Sequence, residues 1–278
     1  MTRWETIQQA SDAEFLRQVG ISREHFDTIL EKVKTYLETE RARNRMKQRG
    51  LKTTDLPIED RLLLTLYYLR HHPTFRNLAD IFGISESYAN KRYHEYLDIL
   101  VKVLRLPGRK ALRDEVWKAV IIDVTEQPIE RPGTKQRQWY SGKKKRHTVM
   151  VQLIVCLFTL QILTVACGRG HMADITLLKR SRMPLAEALE KYADAGYQGL
   201  DKLMANVFTP IKKPRNRDLT KAERAYNRAL ATLRVRIEHV NRRCKIFRVT
   251  SEVYRGHRRY LQKTWMVVAA LVNYRYAE

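Results

Sequence analysis

Nineteen consecutive residues, Val149 to Cys167, carry no charge in a chain of 278 residues with 53 Lys and Arg. Preceded by Lys143, Lys144, Lys145 and Arg146, the run has the outline of a positive-inside membrane span. Its interior argues for something else. Gln152, Thr159, Gln161 and Thr164 interrupt it, β-branched residues dominate it, and nothing comparable recurs. Two adjacent strands, approximately Val149 to Phe158 and Leu160 to Ala166, buried on both faces, satisfy such a run better. The chain is therefore expected to build around a sheet and to have no membrane partner.

The rest of the composition narrows the class. A 44% hydrophobic content beside 30% charged residues excludes a disordered basic tail and a multi-span membrane protein. The length suggests about two domains. Cys156, Cys167 and Cys244 form no CxxC pair and read as free thiols of a reducing compartment. The opening MTRWETIQQASDAEFL is polar where a signal peptide needs an apolar stretch, so a cytoplasmic protein is expected. The formal net charge of +23 calls for a polyanionic partner. Residues 1–130 hold 22 basic and 20 acidic side chains, against 31 and 10 in residues 131–278, so the basic surface belongs to the second half.

The first half reads as helices. Ser11 and Glu14 form a capping box, and Phe26, Ile29, Leu30, Val33, Tyr36 and Leu37 recur at helical spacing toward Gly50. After Pro57, Leu62, Leu63, Leu66 and Leu69 mark another helix, and His71-His72-Pro73 breaks it. In TFRNLADIFGISESYANKRYHEYLDIL, Ala79 sits in a short helix, Gly83 at a turn, and Ser85 at the N-cap of the next helix. That is a helix-turn-helix pattern, at about residues 61–100. Ser87, Asn90, Lys91 and His94 would then face outward toward base edges or phosphates. An ordinary αα corner shares the small-residue and glycine pattern, and the local charge is nearly balanced. Residues 1–115 are assigned to this helical, DNA-binding domain and residues 116–278 to a second domain.

From Val120 the period changes. AVIIDV reads as a buried strand ending in Asp123. Residues 131–147, RPGTKQRQWYSGKKKRH, hold seven Lys or Arg and no carboxylate, with Trp139 and Tyr140 among them. They are either a solvated loop or a flap laid on phosphates, with aromatics available to unpaired bases. After the two long strands come a helix from about Asp174, a weaker segment ending at Asp194, and NVFTPIKKP as a last strand. A long helix, Leu219 to Phe247, carries Leu233, Ile237, Val240, Cys244 and Phe247 on one stripe, and a final helix spans about His257 to Tyr274. The order predicts a mixed sheet flanked by helices.

Three carboxylates fall where chain geometry favours a site: Asp123, Asp194 and Glu238. Open α/β sheets bind ligands at strand ends. On the long helix, Arg234, Glu238, Asn241 and Lys245 share one polar face, within about 60° of each other at 100° per residue. Acids flanked by so much positive charge can ligate Mg²⁺ or Mn²⁺. Taken singly, Asp123 could cap a turn, Asp194 could begin one, and Arg234 with Glu238 could be a surface pair.

In these residues the chain resembles bacterial insertion-sequence transposases of the insertion-sequence-five family, in the DDE transposase superfamily. The motifs that carry the resemblance are VIIDVTEQPIERP, YSGKKKRHT, DAGYQG, PIKKPRNRDLTKAERAYN and RVRIEHVNRRCK. The family's tyrosine, arginine, glutamate, lysine signature is met at Arg234, Glu238 and Lys245, with Ala231 at the tyrosine position. The resemblance implies an RNase H-like catalytic domain behind the helix-turn-helix domain. It implies a triad of Asp123, Asp194 and Glu238 holding two divalent ions, Mg²⁺ or Mn²⁺, with Asp174 outside it. Lys143, Lys144, Lys145, Arg146, Arg234 and Lys245 would contact DNA. The partners implied are double-stranded terminal inverted repeats and target DNA, bound by at least a homodimer in the nucleoid. The rivals are a catalytically inactive DNA-binding protein derived from a transposase and, more remotely, a basic RNA-binding structural protein.

Overall fold

The computed structural model describes residues 3–44, 55–113 and 116–276. The expected helical continuation to Gly50 lies outside them. The chain divides into two compact units: residues 1–105, 245–252 and 263–278 form one, and residues 106–244 with 253–262 form the other.

In the first unit the helices are α1 (Arg3–Gln8), α2 (Asp12–Val19), α3 (Arg23–Asn44), α4 (Ile58–His71), α5 (Phe75–Phe82) and α6 (Glu86–Val103). Their ends follow local chemistry. The Ser11 hydroxyl accepts from the Glu14 amide at 3.2 Å to open α2. Thr74 opens α5 by accepting from the Asn77 amide at 3.1 Å, and Ser85 opens α6 by accepting from Tyr88 at 3.2 Å. Each satisfies an amide that the first helical turn leaves without a partner. Between α5 and α6, Gly83 takes φ 64°, a left-handed conformation that costs glycine nothing. Ala79, Ala89, Tyr93 and Tyr96 are buried behind this corner. The helix-turn-helix is therefore formed, with α6 as its second helix.

The second unit opens with α7 (Gly108–Ala111) and then turns to strands. They are β1 (Ala119–Pro128), β2 (Tyr140–Ser141), β3 (Arg146–Cys156), β4 (Ile162–Arg169), β5 (Glu190–Ala193) and β6 (Val207–Phe208). β3 pairs antiparallel with β1 on one side and with β4 on the other, while β1, β5 and β6 run parallel. β2 folds back on the start of β3. Three antiparallel strands joined to a parallel half, with helices α8 (Asp174–Ser181) and α9 (Lys221–Lys245), make an RNase H-like mixed sheet. The uncharged run is thus the β3–β4 hairpin. Among the described residues, no helix is long and apolar enough to cross a membrane.

Several local expectations change in the tertiary structure. The hairpin has neither Gly nor Asn at its turn, and Leu160 itself adopts φ 59° there. The Leu160 amide donates to the Cys156 carbonyl at 3.0 Å and closes the turn. β1 does not end at Asp123 but runs on to Pro128, because β3 keeps pairing with it through Thr148. The segment NVFTPIKKP contributes only the two residues of β6. In β5, Lys191 is fully buried and its Nζ donates to the carbonyls of Glu187, Leu189 and Ala205 at 3.2, 2.6 and 2.9 Å. A buried ammonium is tolerated when its three donors are all used.

The sheet's alternation divides the labour of its faces. Val120, Ile122, Ile154 and Leu163 join Leu178, Leu189, Ala193 and Tyr197 in one apolar core, with Val124 packed against it. With a side-chain period of two, Ile121, Asp123 and Thr125 belong to the opposite face. On α9, Leu230, Ile237, Val240 and Cys244 are the buried stripe. The last two helices are α10 (Arg248–Ser251) and α11 (Leu261–Arg275), both almost wholly in the first unit, where Phe247 and Trp265 are fully buried.

Candidate active site

The site begins with a register. β1 and β5 are parallel neighbours paired from Ala119 with Glu190 to Ile122 with Ala193. Asp123, the next residue of β1, and Asp194, the residue that follows β5, stand where the pairing of the two strands stops. Neighbouring strands lie about 4.8 Å apart, and the gap beyond the last paired residues is the usual ligand position of such a sheet. Asp194 caps the short turn Ala195–Tyr197, its Oδ1 accepting from the Gly196 amide at 2.8 Å.

A third acid joins them. At the first residue of α8, Asp174 approaches Asp194 across Gly196, where a Cβ would lie 2.1 Å from Asp174 Oδ2 and 3.0 Å from Asp194 Oδ1. Only a residue without a side chain lets the carboxylates come this close. Burial pushes the Asp174 carboxyl up to about 6, and the Asp194 charge adds to it while Lys143 opposes. Asp123 is also raised, first by burial and then by Asp194. Asn241 resists by donating from Nδ2 to Asp123 Oδ2 at 2.7 Å, and Arg234 resists by its charge. The phenol of buried Tyr197 is pushed well above its ordinary value by burial and by all three carboxylates, Asp174, Asp123 and Asp194. Asp194 is thus central, coupled to Asp123 on one side and to Asp174 on the other.

The helix contribution comes through α9. Arg234 and Asn241 act on Asp123 from this helix, and Glu238, four residues after the first and three before the second, shares their face. Glu238 itself is exposed. Lys245 is exposed at the last position of α9.

Beside the acids opens a cleft of 540 Å³, whose wall includes Asp174, Asp194, Glu126, Tyr140, Lys143 and Arg137. The basic segment is therefore an ordered flap with one edge on the acids. β2 and β3 tie it down, with Tyr140 opposite His147 and Ser141 opposite Arg146. The Thr148 amide donates to the Trp139 carbonyl at 2.8 Å. Lys144 and Lys145 are exposed on the flap's turn and Arg146 at the start of β3, and only Lys143 of that quartet is on the cleft wall. In the helix-turn-helix, Ser87, Asn90 and Lys91 are exposed on α6, as their spacing predicts. His94 is half-buried, with its ring 6.2 Å from Phe75 and 5.0 Å from Tyr93, so much of it is used in packing.

Comparison with known proteins agrees with this architecture. Residues 122–273 match the family model described as DDE superfamily endonuclease. The chain belongs to the DDE superfamily of endonucleases. Residues 54–106 match the helix-turn-helix of the same superfamily. A protein of Microchaete diplosiphon, named as a transposase for insertion sequence element IS702, is 35% identical over 98% of each chain. A Streptomyces albus G protein, named as a transposase for insertion sequence element IS112, is 29% identical over 70% of this chain and 71% of its own.

For a DDE endonuclease the donor chemistry is suitable. Carboxylate oxygens suit hard divalent cations. The Asp194 charge adds to the rise that burial imposes on Asp123 and Asp174, a repulsion that a bound cation relieves. Among the described residues, no three His, Cys, Asp or Glu side chains already stand in a metal-holding arrangement. Sequence reasoning placed Asn241 on the polar face without giving it a role, and it left Asp174 outside the triad. The signal for Asp174 was its place at the start of a helix following a strand. Its partner Gly196 lies 22 residues on and cannot be found by local pattern.

Proposed function

We propose that the chain is the transposase of an insertion sequence of the insertion-sequence-five group. It binds the terminal inverted repeats and catalyses divalent-metal-dependent strand cleavage and strand transfer. The observation that carries this reading is the position of Asp123 and Asp194 just past the last paired residues of β1 and β5 in a DDE endonuclease.

Asp123, Asp194 and Glu238 are the proposed metal-holding acids, for two ions, Mg²⁺ or Mn²⁺. When bound there, such ions supply an activated water or 3′-hydroxyl and a stabilised leaving oxygen for in-line displacement at phosphorus. The protein's own side chains do the rest. Asn241 holds one oxygen of Asp123 and so orients the other. Arg234, whose charge reaches Asp123, opposes the rise that burial imposes on that acid. Lys143 and Arg137, on the cleft wall, take the scissile strand's phosphates, and Lys144, Lys145, Arg146 and Lys245 extend the basic surface along the backbone. Ser87, Asn90 and Lys91 on α6 read the repeat, with His94 supporting from its half-buried position. Joining two ends needs at least two copies on DNA, and such a protein works at the cytoplasmic nucleoid.

The test is nicking of DNA carrying the element's ends by purified protein, with and without Mg²⁺. Asp123→Asn and Glu238→Gln should each abolish it while leaving end binding in place. Cleavage that survives either change removes that acid from the site. Binding without any cleavage by the unaltered chain supports instead a regulator derived from a transposase.

A further inference from the structure

The two aromatic residues of the flap have different fates. Trp139 is half-buried and engaged: the Arg258 guanidinium lies 4.7 Å from its ring centroid and that of Arg169 5.9 Å. Tyr140 is 42% exposed and forms part of the cleft wall. Its ring meets that of His147 edge-on at 5.6 Å. The support beneath Tyr140 is stiff. Ser141 is buried and its hydroxyl accepts from the Lys144 amide at 3.1 Å, and the His171 Nδ1 meets the Gln138 carbonyl at 2.6 Å. Gly170 is packed so tightly that a Cβ would lie 2.3 Å from Thr148 Oγ1 and 2.7 Å from the Trp139 carbonyl oxygen.

A half-open aromatic ring on a tied-down flap, in one cleft wall with Lys143, Arg137 and the acids, offers something a duplex cannot use. Bases inside a helix have both faces covered by their neighbours, so only a base that has left the stack gains from an aromatic wall. The cleft's 540 Å³ lies within the range of about 300 to 1,000 Å³ typical of small-ligand sites, enough for one nucleotide. The geometry points to an unpaired nucleotide as the occupant of this cleft, its base stacked on Tyr140 and its phosphate held by Lys143 and Arg137. This deepens the proposed function and rests on its reading of DNA as the substrate.

The experiment uses the full chain and a short duplex with a single-stranded 3′ extension that carries 2-aminopurine at its first unpaired position, in Ca²⁺ or EDTA buffer. A blunt duplex is the comparison. The unaltered protein should quench the 2-aminopurine emission and bind the extended probe about tenfold more tightly than the blunt one, as expected for one base–aromatic stack. Tyr140→Ala should lose both effects, and Tyr140→Phe should keep them. An extended probe bound no better than the blunt one, or quenching that persists in Tyr140→Ala, overturns the proposal. Metal-dependent nicking, measured separately on the same preparations, keeps the two readings apart. Nicking without quenching removes the stacked base and leaves the nuclease, whereas quenching without nicking does the reverse.

Discussion

Replacing Asp174 by Asn should make the protein more stable near neutral pH, which is unusual for a half-buried polar residue. The folded environment raises this carboxyl from 3.8 to about 6, by burial first and by Asp194 second. Two pH units correspond to about 3 kcal/mol at about 1.36 kcal/mol per unit. Because the side chain is only half-buried, solvent screening reduces this to roughly 1–2 kcal/mol. The folded state binds the proton more tightly than the unfolded chain does. Stability from this group therefore falls as pH rises between about 4 and about 6, and above that the ionised acid is a liability. Asn keeps the shape and removes the charge. Thermal and urea unfolding in EDTA at about pH 7.5 should show a gain of roughly 1–2 kcal/mol, or about 2–6 °C, and at about pH 4 almost none. On the proposed metal site, Mg²⁺ should stabilise the unaltered protein more than the variant, because the cation offsets a charge that only the unaltered protein carries. A variant that is no more stable than its parent at the higher pH, or one whose gain persists at the lower, refutes the repulsion argument.

Other consequences follow from single contacts. Gly196→Ala should leave folding nearly intact, because the group it strikes is the flexible end of Asp174, yet cut nicking by at least about tenfold by pushing Asp174 and Asp194 apart. Equal nicking rates would show that their spacing is immaterial. Lys191→Met keeps the buried stem but strands three carbonyls, and urea unfolding should register a loss of about 2–4 kcal/mol. A loss under about 0.5 kcal/mol would mean that water replaces the ammonium. Lys91→Ala, on the exposed side of α6, should weaken binding to the element's end more than to random DNA in titrations at matched salt. Equal weakening would reduce α6 to a phosphate contact.

The chain's local features were readable because their causes are local. Ser11, Thr74 and Ser85 cap helices through bonds spanning three residues, and Gly83 turns the chain by its own φ. The 19-residue uncharged run needed burial on both faces, so a hairpin within a sheet was legible there too. So was the strand that leads into Asp123, although its length beyond Asp123 was not, because pairing with β3 rather than propensity sustains it. Lys191 is held inside a strand by acceptors that include the Ala205 carbonyl, fourteen residues away, which no local pattern announces.

What the sequence determined by itself was the kinds of element, their order, the helix-turn-helix and the placing of acids beside cations, since each depends on neighbours within a few turns of chain. Tertiary structure alone decided which acids meet. It set Asp174 against Asp194 over Gly196, gave Asp123 to Asn241, engaged Trp139 with Arg258 and left Tyr140 open to the cleft. Those pairings join residues as much as 119 positions apart, and their energy is realised only when strands and helices close on one another. No local periodicity encodes it, because the cost of bringing such distant groups together is met by the whole sheet and not by the groups themselves.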